Sequence, residues 1–332
     1  MSITRTPSPL TPAERPLGVV VGFDASEQGF LALHYAARAA QRRKTQLTVV
    51  NVYRLPGHFY ATLAALPSEE EIDLLRQDSE GILDQAREYL DGYPGQVVYR
   101  SVEGDAAGAL VQLSASAQLL VTGGRGRGGF LGRLLGSVAA AVPSHALSPT
   151  VIVPGSYDPQ AGTDQDSGRF SPAEDDKPVI VGLDGSSVSR GAALQAAEAA
   201  ADRGTTLRAI IALMPLDDIR DWYPDIRFDY SRVEHRKQEL QKHAETEAEW
   251  LRSHVPNAEI VAGVEVGTPD EVLARASGEA QLTVLGTRGR GGFHSALLGS
   301  TSRSVLTSAS GPVMVVPELP DPRLKDQPEF PV

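Results

Sequence analysis

The sequence predicts an α/β fold made twice over: two copies of a five-stranded parallel open sheet with helices on both faces. Three observations lead there. The chain repeats itself at long range, short β-branched apolar runs alternate with longer helical patterns inside each copy, and glycine-rich segments stand directly behind strands.

The repeat is visible at three places. GVVVGFDAS, Gly18 to Ser26, returns as PVIVGLDGS, Pro178 to Ser186, with Asp24 and Asp184 in corresponding positions. QLLVTGGRGRGGFLGRLLGS, Gln118 to Ser137, returns as QLTVLGTRGRGGFHSALLGS, Gln281 to Ser300, with the same glycine spacing. Each copy closes on an apolar segment after a proline, Pro149 and Pro312. In the first copy the runs predict strands at Gly18 to Gly22, Leu47 to Val52, Gln96 to Ser101, Gln118 to Thr122 and Thr150 to Val153. Between them, apolar residues at three- and four-residue spacing predict helices at Ser26 to Gln41, about Ser68 to Leu90, Ala106 to Ala115 and Gly136 to Ala146. The second copy repeats the order, with strands near Val179, Leu207, Ala258, Gln281 and Val313, and a second helix from about Phe228 to His254.

This layout gives a tail over residues 1–16, a first domain over 17–154, a linker over 155–177, a second domain over 178–317 and a tail over 318–332. The linker is rich in Pro, Gly, Ser and Asp and has almost nothing to bury against its ordering entropy. The first sixteen residues, with Pro7, Pro9, Pro12 and Pro16, read as neither signal peptide nor anchor. Composition narrows the function further. A chain of 332 residues without cysteine has no disulfide, zinc-thiolate site or cysteine nucleophile, and the cytoplasm is its expected compartment. A net charge of -11 argues against nucleic acid and anionic membrane as partners, and no apolar stretch reaches the length of a membrane span.

In an open parallel sheet, ligands sit beyond the carboxyl ends of the strands where the strand order reverses. Gly123 and Gly126 follow the fourth strand, and nine residues later Gly136 and Ser137 begin the fourth helix; Gly286, Gly289, Gly299 and Ser300 reproduce the arrangement. Glycines let backbone amides approach an anion, a helix start adds partial positive charge, and Ser137 can cap free amides while offering its hydroxyl. With Arg125, Arg127, Arg288 and Arg290 in reach, the pattern suits a polyphosphate. Two other phosphate motifs fail. Gly124, Gly126 and Gly129 fit the dinucleotide pattern, but Thr287 breaks it in the second copy, and a P-loop would need a lysine after the glycine where Ser137 and Ser300 stand. The seven histidines, His34, His58, His145, His235, His243, His254 and His294, show no metal-binding spacing.

GFDAS with GGRGRGGFLGRLLGS, repeated as GLDGS with GTRGRGGFHSALLGS, resembles the universal stress protein family in a tandem, two-domain form, over nearly the whole chain. The family signature is Gly, two residues, Gly, nine residues, then Gly and Ser or Thr, here in its ATP-binding form in both halves. The resemblance implies strand order 3-2-1-4-5, ATP between the first strand's end and the glycine loop, and pairing of domains through their fifth strands, within the chain or in a homodimer. It implies that Asp24 and Asp184 contact the adenosine end and that Val52 and Ala212 line the adenine pocket. Gly123, Arg125, Gly126, Gly136, Ser137 and Val138 would hold ribose and phosphates in the first copy, and Gly286, Arg288, Gly289, Gly299, Ser300 and Thr301 in the second. The second copy departs from the first at LRAIIALMP, which lacks the pattern Asn51-Val52-Tyr53, and at Trp222-Tyr223.

The residues leave alternatives open. Asp24 and Asp184 could cap a helix rather than meet a ligand. No nucleophile stands beside a base and no carboxylate pair is set for acid and base roles, so binding is favoured over turnover, with a protein partner reading out the occupied state. Slow ATP hydrolysis aided by a Mg ion and an arginine stays open, as does a nucleotide-free interaction scaffold.

Overall fold

The computed structural model describes residues 10, 13–55, 68–126, 135–161, 168–172, 175–215, 230–289 (the backbone alone for 230–233) and 298–329. The chain divides into two compact units, Leu10–Glu174 and Asp175 onward, and each is an open parallel sheet with its own core.

In the first unit the strands are β1 (Val19–Gly22), β2 (Leu47–Tyr53), β3 (Val97–Glu103), β4 (Leu119–Gly123) and β5 (Thr150–Val153). They pair in parallel in the order β3-β2-β1-β4-β5, with Val19 beside both Leu47 and Leu119. The second unit has β6 (Val179–Gly182), β7 (Thr206–Leu213), β8 (Glu259–Val266), β9 (Leu282–Gly286) and β10 (Val313–Val316). Their order is β8-β7-β6-β9-β10, with Val179 beside Leu207 and Leu282, which is the same topology. The central strands are almost wholly apolar because helices cover both faces. The predicted strands of the first copy are all present, shifted by a residue or two. Gly18 drops out of β1 because its φ of 64° belongs to a turn.

The helices are α1 (Glu27–Arg42), α2 (Glu69–Tyr89), α3 (Ala106–Ser114) and α4 (Ser137–His145), then α5 (Ser187–Arg203), α6 (Tyr230–His254), α7 (Pro269–Ala276) and α8 (Ser300–Ser308). Their starts follow local chemistry. Ser26 and Ser186 cap α1 and α5, each hydroxyl accepting an amide three residues on at 3.0 and 3.1 Å. Ser68 and Glu71 form a reciprocal capping box on α2. Along α1 and α5 at least half of the buried residues are alanine, which lets the helix axis lie close to the sheet. Leu17, Val20, Val50, Leu110, Ala117, Leu120, Val142 and Ala146 form one core cluster of the first unit, with Val52 and Val138 packed against it.

Three stretches expected to carry little structure prove partly built in. Leu10 is buried, and Arg15 donates to the carbonyls of Ser114, Ala115 and Leu147, closing the end of α3. In 155–177, Tyr157 packs on Tyr35 with ring centroids 5.7 Å apart, and Phe170 is 3% exposed among His34, Tyr89 and Tyr93. In 318–332, Arg323 is buried between Asp321 and Glu198, and Asp326 accepts from Trp250 Nε1 at 3.2 Å. The reason is common to all three. A few large side chains supply enough burial and pairing to order a segment that is otherwise polar.

Candidate functional site

All eight residues that the resemblance assigns in the first copy line one cavity of about 500 Å³ at the carboxyl end of the sheet, Asp24, Val52, Gly123, Arg125, Gly126, Gly136, Ser137 and Val138. All eight from the second copy, Asp184, Ala212, Gly286, Arg288, Gly289, Gly299, Ser300 and Thr301, line another of about 540 Å³. Both volumes fall in the range of small-molecule sites. The sheet explains the gathering. β1 and β4 are neighbours whose connections leave to opposite faces, so a crevice opens between them, and β2 closes its far side.

Asp24 lines the first cavity. Its Oδ1 accepts from Ser26 N at 3.0 Å and from Ser26 Oγ at 2.6 Å, while Ser26 Oγ in turn accepts from Gly29 N. Asp184 repeats this with Ser186 N at 3.0 Å and Ser186 Oγ at 2.7 Å. The capping reading of these aspartates is therefore corrected: Ser26 and Ser186 cap the helices, and the aspartates hold the capping serines in place. The other carboxylate oxygen faces the glycine loop. A Cβ on Gly126 would stand 2.5 Å from Asp24 Oδ2, and one on Gly289 would stand closer still to Asp184 Oδ2.

Gly123 is constrained differently, since its missing Cβ would lie 2.8 Å from the backbone oxygen of Gln28 in α1. Gly136 and Gly299 are the cap residues of α4 and α8, and neither helix carries a side-chain cap. Gly136 N donates to Gly124 O at 2.8 Å and Gly299 N to Thr287 O at 2.7 Å, which folds the loop's far end back onto its start. Ser137 and Ser300 are thus first helical residues rather than caps, exposed at the cavity wall, and the expected capping role passes to no side chain. The first-turn amides of α4 and α8, with the positive end of the helix dipole, are presented to the cavity. Arg125 and Arg288 line the same end; Arg127, Arg290, Gly129 and Trp222-Tyr223 lie outside the described residues.

Several lining groups were not legible in the sequence. Asn51 is buried, its Nδ2 donating 2.8 Å to Phe23 O and its Oδ1 accepting 2.7 Å from Ser79 Oγ, which is 2.6 Å from Ser101 Oγ. This network joins three elements behind the cavity wall, and Ser79 looks in sequence like any polar helix residue. Ser302 donates 2.8 Å to Gly286 O where the first copy has Ala139, and Arg236 and Leu240 of α6 line the second cavity.

The family model "Universal stress protein family" matches residues 18–154 and again 177–317. The chain belongs to the universal stress protein family. A universal stress protein of Mycobacterium tuberculosis (strain ATCC 25618 / H37Rv) is 34% identical over 308 residues, covering 91% of this chain and 97% of that protein. One of Mycolicibacterium smegmatis is 33% identical over 307 residues, covering 90% and 96%. Among solved structures, a universal stress protein from Archaeoglobus fulgidus superposes with a TM-score of 0.60 at 20% identity, covering 92% of this chain and 97% of that one. This chain therefore carries two universal stress protein domains in tandem, each an α/β parallel sheet, and belongs to a stress-response family. No helix among the described residues is long and apolar enough to cross a membrane.

Proposed function

We propose that this universal stress protein binds ATP, about one molecule per domain, and works in the cytoplasm as a nucleotide-dependent regulator of the stress response. One observation supports the reading above the others. In each domain the aspartate at the end of the first strand, the glycine loop and an uncapped helix start line a single cavity, and a Cβ at Gly126 or Gly289 would collide with that aspartate's carboxylate. Bare backbone at this point leaves amides open to phosphate oxygens, and Arg125 and Arg288 add donors of the right charge. The apolar wall of Val50, Val52 and Leu110 suits a flat base. ATP supplies the phosphates on which a Mg ion would ride, and the protein's part is to hold ribose and phosphates at the two loops.

Titration calorimetry tests this. The wild type is expected to bind ATP at two sites, and the double variant Gly126→Val, Gly289→Val to lose most of that heat while keeping its far-UV circular dichroism. Absence of ATP binding by the wild type, or undiminished binding by the folded double variant, overturns the reading.

A further inference from the structure

The two cavities share the end built from the glycine loop and differ at the opposite end. In the first, the far wall is the end of β2, Val50, Asn51 and Val52, and no residue of α2 lines it. Asn51 cannot turn toward a ligand without breaking its bonds to Phe23 and Ser79. In the second, the register of β7 on β6 puts Ile211 in the place of Asn51, because Gly182 pairs with Ile210 as Gly22 pairs with Val50. Leu183 replaces Phe23, and α6 brings Leu240 and Arg236 into the lining.

Topology fixes which end this is. β6 lies between β9 and β7, so the loop after β9 and the start of α8 stand on one side of Asp184, while α6, packed over β7 and β8, stands on the other. The charged residues among the described lining of the first cavity are Asp24 and Arg125; in the second they are Asp184, Arg288 and Arg236. The added cation therefore comes from the α6 side, away from the glycine loop, in a wall to which Ile210, Ile211, Leu213 and Leu240 also contribute. Arg236 Nη1 is 3.3 Å from Glu239 Oε2 on the next turn, and its side chain is 35% exposed, so it is steered by a neighbour and still accessible.

A guanidinium offers donors and no acceptor. Beside a purine it pairs with a ring nitrogen and a C6 carbonyl, and it meets a C6 amino group donor to donor. In a slot that is otherwise apolar, that mismatch leaves polar groups unpaired, which is the most effective source of discrimination a site has.

We propose that Arg236 sets the base preference of the second site, so that this domain favours a 6-oxopurine nucleotide while the first, with no cation at that end among its described lining residues, does not. The inference rests on the nucleotide reading of both cavities. Gly126→Val silences the first site and leaves the second to be measured alone, with GTP and ATP as probes. In that background GTP is expected to bind more tightly than ATP, and adding Arg236→Ala is expected to weaken GTP about tenfold while ATP, freed of the donor-to-donor mismatch, binds more tightly than before. Arg236 lies on an accessible stretch of α6, so circular dichroism and a wild-type Tm show that the variant is folded. Should neither nucleotide bind the wild type, the nucleotide reading falls and this inference with it. Should ATP bind both sites, with the GTP to ATP ratio at the second site below one or indifferent to Arg236→Ala, this inference alone falls.

Discussion

Two alignments between the copies show what single residues contribute. Ala25 has φ of 56° and Lys44 φ of 49°, both in the left-handed region, and the second copy has Gly185 at φ 79° and Gly204 at φ 63° in the same places. The turn geometry is shared: Lys44 N bonds Gln41 O and Thr45 N bonds Ala40 O, as Gly204 N bonds Ala201 O and Thr205 N bonds Ala200 O. A left-handed L-residue costs roughly 1–2 kcal/mol, whereas glycine costs roughly 0.5–1 kcal/mol of chain entropy. Ala25→Gly is therefore expected to stabilise the first domain by about 1 kcal/mol or less, read as a small rise in Tm by calorimetry; a fall in Tm contradicts the strain argument. Ala25 follows Asp24 directly, so the strain is stored at the candidate site. The sequence showed the Asp-Ala-Ser and Asp-Gly-Ser pair but not that both turns have the same handedness.

The segments that follow the last strand of each domain do the same job with different chemistry. After β5, Arg169 and Phe170 close the gap between α1 and α2: Arg169 lies 4.1 Å over the ring of Tyr89 and donates to Tyr89 O, and Gln41 donates to Phe170 O. After β10, Asp321, Arg323, Asp326 and Gln327 close the gap between α5 and α6, where Arg190 and Glu247 form a buried pair at 2.6 Å with His243 on the same carboxylate. One closure is aromatic and the other ionic. Buried ion pairs contribute less net stability than apolar packing of similar volume, so the aromatic one is the better single target. Phe170→Ala is expected to destabilise the first domain by about 3 kcal/mol, within the usual range for a buried phenylalanine, seen as a lower urea midpoint with unchanged slope. A change within error would mean that the segment is not part of the domain. Composition hid the first of these elements, because two aromatics, Tyr157 and Phe170, in a run of Pro, Ser, Gly and Asp do not change the average.

For the whole molecule, acid stability depends on where protons are refused as well as on the net charge of -11. His34 is buried in the same aromatic cluster, its Nδ1 3.0 Å from Tyr89 OH and its Nε2 buried without a hydrogen-bond partner among the described residues. Burial, with Arg38 and Arg169 nearby, lowers its pKa from 6.5 to about 3. A folded pKa below the unfolded one means that the unfolded chain takes up the proton first, so this contribution is complete above pH 6.5 and is lost as pH falls toward 3. By pH 5 the loss reaches up to about 2 kcal/mol. Relative to His34→Phe, which keeps the ring and removes the titration, the wild type is expected to lose stability between pH 7 and pH 5. Parallel pH profiles of the two unfolding midpoints would refute this. What the sequence determined by itself was the part that is periodic and duplicated: two α/β copies, the strands and helices within a residue or two, and the lining residues tied to the glycine spacing. What only the tertiary structure decided depends on contacts between residues far apart in the chain. Asn51 with Ser79, Phe170 with His34, and Arg236 and Ile211 on the wall of one cavity are each brought together by folding, and no local pattern of residues encodes them.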